Sequence, residues 1–167
     1  MSAARKVLIL MGSDSDLPTM REAVDVLREY DVDVTVRVLS VHRCPEEALR
    51  VAAAAESQGY RVLIAAAGHA AHLAGAAASQ TVLPVIGVPI ESGPMRGVDA
   101  LYSTVMMPPG VPVGTMAIGG ARNAAIFALQ IIATADDALR ARLHEYKKAL
   151  AAKVLAKDSK VQEELGR

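Results

Sequence analysis

The run Ser40-Val41-His42-Arg43-Cys44-Pro45 sets a hydroxyl, an imidazole and a guanidinium within four residues of one another. A guanidinium pairs with phosphate through its planar fork, a serine hydroxyl adds a donor, and imidazole is the side chain that ordinarily titrates near neutrality. An anion clamp beside a proton carrier suits acid–base chemistry on a phosphorylated substrate. In isolation, a histidine packed on a sheet and an arginine in a surface ion pair would be the simpler account. A second polar run, Gly12-Ser13-Asp14-Ser15-Asp16, offers a close turn followed by hydroxyls and amides that can hold a phosphate dianion. The same residues also make an ordinary capped turn. They match neither GxGxxG nor P-loop spacing, so nothing here points to a dinucleotide or ATP. The third run, Gly68-His69-Ala70-Ala71-His72-Leu73, is small enough for backbone to lie against a flat ligand, and equally suited to tight helix packing. Its two imidazoles lack a carboxylate or thiolate at fitting spacing, so no metal site is expected. Cys44 reads as a small residue at a helix entrance rather than a nucleophile.

Each run sits where an apolar segment stops and a helical pattern starts, the place where α/β sheets hold ligands. Lys6–Met11 and Arg61–Ala67 are nearly continuous apolar runs, as for parallel strands covered on both faces. Val32, Val34, Val36 and Val38 alternate with polar residues, which predicts a strand with one wet face near a sheet edge. An edge strand second and buried strands first and third fit the order 2-1-3 of a flavodoxin-like sheet. Right-handed crossovers then bring all three strand ends to one edge. Helical spacing over Leu17–Tyr30 predicts a helix with Asp16 as its N-cap, and Pro45 starts another, with Glu46 and Glu47 near its positive end. Further along we expect a short helix over His72–Gln80, a strand over Val85–Val88, and a short helix within Val98–Met107. A strand over Val113–Ile118 and a helix over Arg122–Ala133 complete the sheet region. The tail, about 136–165, predicts a long helix whose stripe Leu139, Leu143, Tyr146, Leu150 and Val154 packs in part on a neighbouring subunit.

The 167 residues carry 18 basic and 18 acidic side chains, so no net charge favours nucleic acid or an anionic membrane. One phenylalanine and no tryptophan argue against base-stacking platforms. A single cysteine excludes an internal disulfide framework. With no signal-type apolar region after Met1 and no run long enough to span a bilayer, a cytoplasmic protein of one domain, 1–167, is expected.

In order and interval, several segments together resemble the class I N5-carboxyaminoimidazole ribonucleotide mutases. They are Met11–Asp16, Ser40–Pro45, Ala70-Ala71-His72-Leu73, Pro84–Pro89, Pro112-Val113 and Asn123-Ala124-Ala125. The resemblance implies a three-layer α/β/α sandwich, a homo-octamer, and no metal or organic cofactor. It implies carboxylate transfer from the exocyclic nitrogen of an aminoimidazole ribonucleotide to ring carbon C4 in purine biosynthesis, through bound CO2 and free aminoimidazole ribonucleotide. By the same resemblance His42 is the general acid/base, Ser13, Ser40 and Arg43 hold the 5′-phosphate, and Asp16 holds the ribose hydroxyls. Gly68, His72 and Leu73 line the base and carboxylate pocket.

The chain departs from the family at four site-proximal positions: glycine is usual at His69, proline at Ala74, threonine at Cys44 and alanine at Val41. His69 bears on how the carboxylate is held, and Cys44 forgoes a helix cap worth ~1 kcal/mol in Ser/Thr cases. Met106 and Pro109 stand where glutamine and glycine are common. Two rival readings are a class II enzyme carboxylating aminoimidazole ribonucleotide directly with CO2, and a non-catalytic nucleotide-binding module on the same fold. The class II pattern tends to carry lysine at Arg43 and lacks Ala-Ala-His-Leu, so Arg43 and His72 favour the mutase.

Overall fold

A computed structural model describes residues 5–166. Five strands, β1 (Lys6–Met11), β2 (Asp33–Val38), β3 (Val62–Ala67), β4 (Val85–Pro89) and β5 (Gly114–Thr115), form one parallel sheet in the order β2-β1-β3-β4-β5. The helices are α1 (Leu17–Glu29), α2 (Pro45–Ala54), α3 (Leu73–Ala78), α4 (Val98–Val105), α5 (Ala121–Ala133) and α6 (Asp137–Glu164).

Side chains alternate across a strand, and the central strands use both faces. Val7, Ile9 and Met11 of β1 join a core with Met20, Val24 and Leu27 of α1 and with Ala125 and Leu129 of α5. Leu8 and Leu10 face the other way, into a core with Ala48, Val51 and Ala52 of α2 and Leu73, Ala74 and Ala77 of α3. This is the α/β/α sandwich with the expected 2-1-3 start. β2 lies at the sheet edge, as its alternation requires, with Val34 and Val36 only partly buried. Alanine supplies much of both inner helix surfaces, which lets helices lie close to the sheet.

Three expectations need correction. Asp16 does not cap α1: it already has helical backbone and makes no side-chain cap bond there. Ser13 instead caps a 3-10 turn over Asp14–Asp16, and the Asp16 carboxylate reaches back to accept from the Ser13 N–H, a capping box one turn earlier than expected. The fifth strand is not Val113–Ile118 but only Gly114–Thr115. Met116 still donates to the Gly87 carbonyl, but Pro89 has no N–H to carry a parallel ladder one step further. The chain then turns so that Gly119 donates to the Pro89 carbonyl. The helix expected over His72–Gln80 is shorter, Leu73–Ala78, with His72 at its N-cap position.

α6 is as long as expected, but its stripe is used unevenly. Leu139 is fully buried, Leu143 and Tyr146 are half-buried, and Leu150 and Val154 are 39% and 65% exposed. The start of the helix is tied to the start of β1: Arg5 donates to both Asp136 oxygens at 2.7 and 3.2 Å, and Asp136 caps α6 by accepting from the Leu139 N–H at 2.9 Å. The Arg5 hydrogen bond, followed by the Leu139 N–H, holds the Asp136 carboxyl below its ordinary value. A depressed carboxyl pKa stabilises the fold above the ordinary carboxylate range, about 4, and that stabilisation is lost as pH falls through the depressed value. Asp136→Asn keeps a good capping side chain but removes the charge. We expect a lower thermal midpoint than the parent at pH 7 and a gap that narrows below about pH 4. Unfolding scans across pH check this, and a pH-independent gap would separate the effect from the ion pair.

Candidate active site

Backbone hydrogen bonds run past the strand ends and fix three loops side by side. Gly12 donates to the Ala66 carbonyl, Leu39 to Met11 and Ile90 to Ala67, each at 2.8–2.9 Å. The turns following β1, β2 and β4 are thereby locked at one sheet edge, beside the end of β3. Between them lies a cavity of about 340 Å³. Ser13, Asp16, Ser40, His42, Arg43, Gly68, His72 and Leu73, all singled out from sequence, line it together.

At the β1 side, Ser13 and Ser15 present their hydroxyls as a pair, with Oγ atoms 2.8 Å apart. Asp16 is buried (4% exposed), and burial raises its carboxyl pKa, opposed in part by the Ser13 and Gly12 N–H groups. A carboxylate buried beside a cavity and already using one oxygen on Ser13 suits a hydroxyl-bearing ligand better than a second anion.

At the β2 side, Arg43 and Cys44 both donate backbone N–H groups to the Ser40 carbonyl, which folds the loop back just before α2. The Cys44 Sγ points at that same carbonyl at 3.1 Å and makes no cap bond to α2. Its thiol is turned into the loop, consistent with a filler. Among the described residues, the Arg43 guanidinium has no carboxylate partner. The acid one turn along, Glu47, is taken by Arg50 at 2.7 Å and by Arg37 at 3.3 Å, and these arginines, Arg50 foremost, lower its pKa to about 2. Arg43 is thus left as a free cation at the cavity, the opposite of the surface ion pair that would have explained it away.

His42 Nε2 and His72 Nδ1 stand 2.8 Å apart, with rings nearly perpendicular (89°). One nitrogen donates and the other accepts, so at least one of the two rings keeps a lone pair at this contact. The loops after β2 and β3 therefore join the two imidazoles that sequence had placed in different roles. Three histidine, cysteine or acidic side chains able to hold a metal do not come together among the described residues.

Gly68 closes the β3 side. A Cβ there would sit 2.3 Å from Ser92 Oγ and 2.9 Å from Ser92 Cβ, so the glycine is needed for the close approach of the β4–α4 loop. Leu73, 2% exposed, roots the start of α3 in the core under the cavity. His69 also lines the cavity, on left-handed backbone at φ +52°, where glycine carries no penalty and histidine is uncommon. Sequence reading missed Ser15 and Ser92 as lining residues. Ser15 lay in a run already marked as polar. Ser92 was legible only as the third residue beyond the fourth strand, on the same sheet edge.

The family model for AIR carboxylase matches residues 6–153. An N5-carboxyaminoimidazole ribonucleotide mutase of Synechocystis sp. is 48% identical over 154 residues, covering 92% of this chain and 88% of the relative. A mutase of the same name from Escherichia coli K12 is 49% identical over 152 residues, 90% of each chain. The crystal structure of Treponema denticola PurE superposes with a TM-score of 0.85 at 26% identity, covering 93% of this chain and 97% of that one.

Proposed function

The chain belongs to the AIR carboxylase family, and from that membership we propose that it is an N5-carboxyaminoimidazole ribonucleotide mutase of purine biosynthesis. The observation that carries the residue-level reading is the convergence of a free arginine, paired serines and a hydrogen-bonded histidine pair on one cavity.

The reaction's proton count suits this equipment. Breaking the bond between the exocyclic nitrogen and the carboxyl carbon releases CO2, and the nitrogen takes up one proton to become an amine. C4 then attacks CO2 with its own electron pair, and the C4 proton leaves to restore the aromatic ring. One proton enters at nitrogen and one departs at carbon, so a single imidazole can give the first and collect the second. We assign that shuttle to His42, with His72 as the hydrogen-bonded partner that orients its ring. General acid–base assistance of this kind contributes about 10²–10⁴ in rate. Holding CO2 beside C4 supplies much of the rest, since confinement of reactants can remove roughly 7–11 kcal/mol from a barrier.

In this reading Ser13, Ser40 and Arg43 take the 5′-phosphate, Asp16 the ribose hydroxyls, and Gly68, His72 and Leu73 the base and carboxylate. The chemistry draws its electrons from the substrate's own ring carbon and calls on no metal or organic cofactor. The test supplies each substrate separately. N5-carboxyaminoimidazole ribonucleotide should be converted to the 4-carboxy isomer. Efficient use of aminoimidazole ribonucleotide at low CO2, with no turnover of the N-carboxylated form, would assign the direct carboxylase instead.

We further propose a cytoplasmic homo-octamer. In support, the distal half of α6 leaves Leu150, Val154 and Leu155 exposed, and an apolar cavity of about 350 Å³ opens between α5 and α6 beside Ile126, Leu143 and Tyr146. Light scattering gives the mass in solution, and a monomer would remove the assembly from this reading.

A further inference from the structure

We propose that His69 is a positioning residue that braces the β4–α4 loop against the β3–α3 loop and so keeps the reaction's CO2 in the cavity, an inference that rests on the mutase reading. Three contacts converge on it. The His69 N–H donates to Ser92 Oγ at 3.0 Å. The ring lies over Gly93, so closely that a Cβ on Gly93 would come within 2.5 Å of its Cε1 and 3.0 Å of its Nδ1. That same Nδ1 faces Asp99 Oδ2 at 3.8 Å, at the first turn of α4. One residue thus touches the beginning, the next position and the end of the segment Ser92–Asp99.

The segment needs such a brace. Gly93, Arg96 and Gly97 all have positive φ, and Glu91 and Gly93–Arg96 are exposed. Ser92 and His69 both line the cavity, so movement of this loop opens its wall. His69 adopts left-handed backbone, a conformation unfavourable to most side chains, and it is this conformation that directs the N–H at Ser92 while the ring reaches across to Asp99. Asp99 is itself fixed, since its Oδ1 accepts from the Ala100 N–H at 3.0 Å. The ring thus stands between the first turn of a helix and a glycine that leaves it room.

For a reaction that passes through free CO2, a loose wall has a specific consequence. The first step still proceeds, but CO2 escapes before C4 captures it, and aminoimidazole ribonucleotide accumulates in place of the 4-carboxy product. Substrate affinity is set mostly by the β1 and β2 loops and stays near the parent value.

The experiment feeds N5-carboxyaminoimidazole ribonucleotide to the full-length protein and measures aminoimidazole ribonucleotide released per 4-carboxy product, after subtracting enzyme-free decarboxylation. His69→Asn tolerates left-handed backbone and keeps the N–H but removes the ring. Asp99→Asn keeps the bond to Ala100 while removing the charge that faces the ring. Each should raise the ratio about fivefold, the effect of one ordinary polar contact, with KM unchanged and, because the paired residues act as one brace, no further rise in the double variant. An unchanged ratio in His69→Asn, or effects of the two substitutions that multiply independently, would overturn the proposal while leaving the mutase intact. Absence of any 4-carboxy product from the unmodified protein would instead overturn the mutase reading, and this one with it.

Discussion

Replacing His42 by asparagine should remove nearly all mutase turnover while the protein still binds the ribonucleotide product. The side chain is exposed at the cavity and carries no part of either core, so the fold should be indifferent to the change. Asparagine offers an amide N–H in place of Nε2 and can still donate toward His72 Nδ1, which keeps the loop geometry close to that of the parent. What it cannot do is give a proton at nitrogen and take one from C4. The expected loss in kcat is about 10²–10⁴-fold, equivalent to roughly 2.7–5.4 kcal/mol of barrier. Product affinity measured by calorimetry should move by less than the turnover does, because phosphate and ribose are held by other side chains.

The control is the partner. His72→Asn leaves His42 able to carry protons but without the nitrogen 2.8 Å away that fixes its ring. It should therefore be the milder variant. Near-parental turnover in His42→Asn would remove that residue from the mechanism, and a collapse confined to His72→Asn would move the shuttle to the other ring.

The parts of the fold that could be read in advance are those where one local rule decides. Continuous apolar runs made β1 and β3 central, and the valine alternation made β2 an edge. Pro45 marked the start of α2. Places where two rules compete were misread. Asp16 has good N-cap chemistry, but Ser13 lies three residues earlier with the same chemistry, and the pair form a capping box around a 3-10 turn. β5 is shortened by Pro89, a residue on its neighbour, which no reading of Val113–Ile118 alone would weigh.

The site divides in the same way. That eight residues from three runs meet at one cavity follows from strand order, because the ends of β1, β2 and β3 must share an edge. The His42–His72 bond does not follow from it. β2 and β3 flank β1, so their ends are separated by two strand spacings, roughly 10 Å. Two imidazoles close that gap only if both loops lean over Gly12, and the Ser40 turn and the short α3 decide whether they do. The left-handed backbone of His69 is equally a product of loop closure rather than of residue type. The departure at position 69 was visible as a residue out of pattern. Its contacts with Ser92, Gly93 and Asp99 were not.

Arg43→Ala should fail in the opposite manner to His42→Asn, with affinity lost and the chemical step largely retained at saturation. The argument begins with Glu47. Were that carboxylate free it would draw Arg43 into a surface pair, and an exposed pair of that kind is worth little to either partner. Arg50 and Arg37 instead occupy it, and Arg43 faces the cavity next to the Ser40 turn with its fork unengaged among the described residues. A phosphate dianion bound there meets a charge already in place, so the cation need not first be released from a competitor. Hydrogen bonds to charged groups contribute about 1.5–3 kcal/mol, so loss of the guanidinium should raise the product Kd roughly 10- to 150-fold. Lysine restores the charge but not the two parallel donors, and Arg43→Lys should recover only part of the loss. Calorimetry with the ribonucleotide and with its dephosphorylated nucleoside separates the cases. If Arg43 holds the phosphate, the substitution weakens the nucleotide and leaves the nucleoside unchanged. An equal effect on both would place the guanidinium elsewhere on the ligand, and no effect on either would end its role in binding.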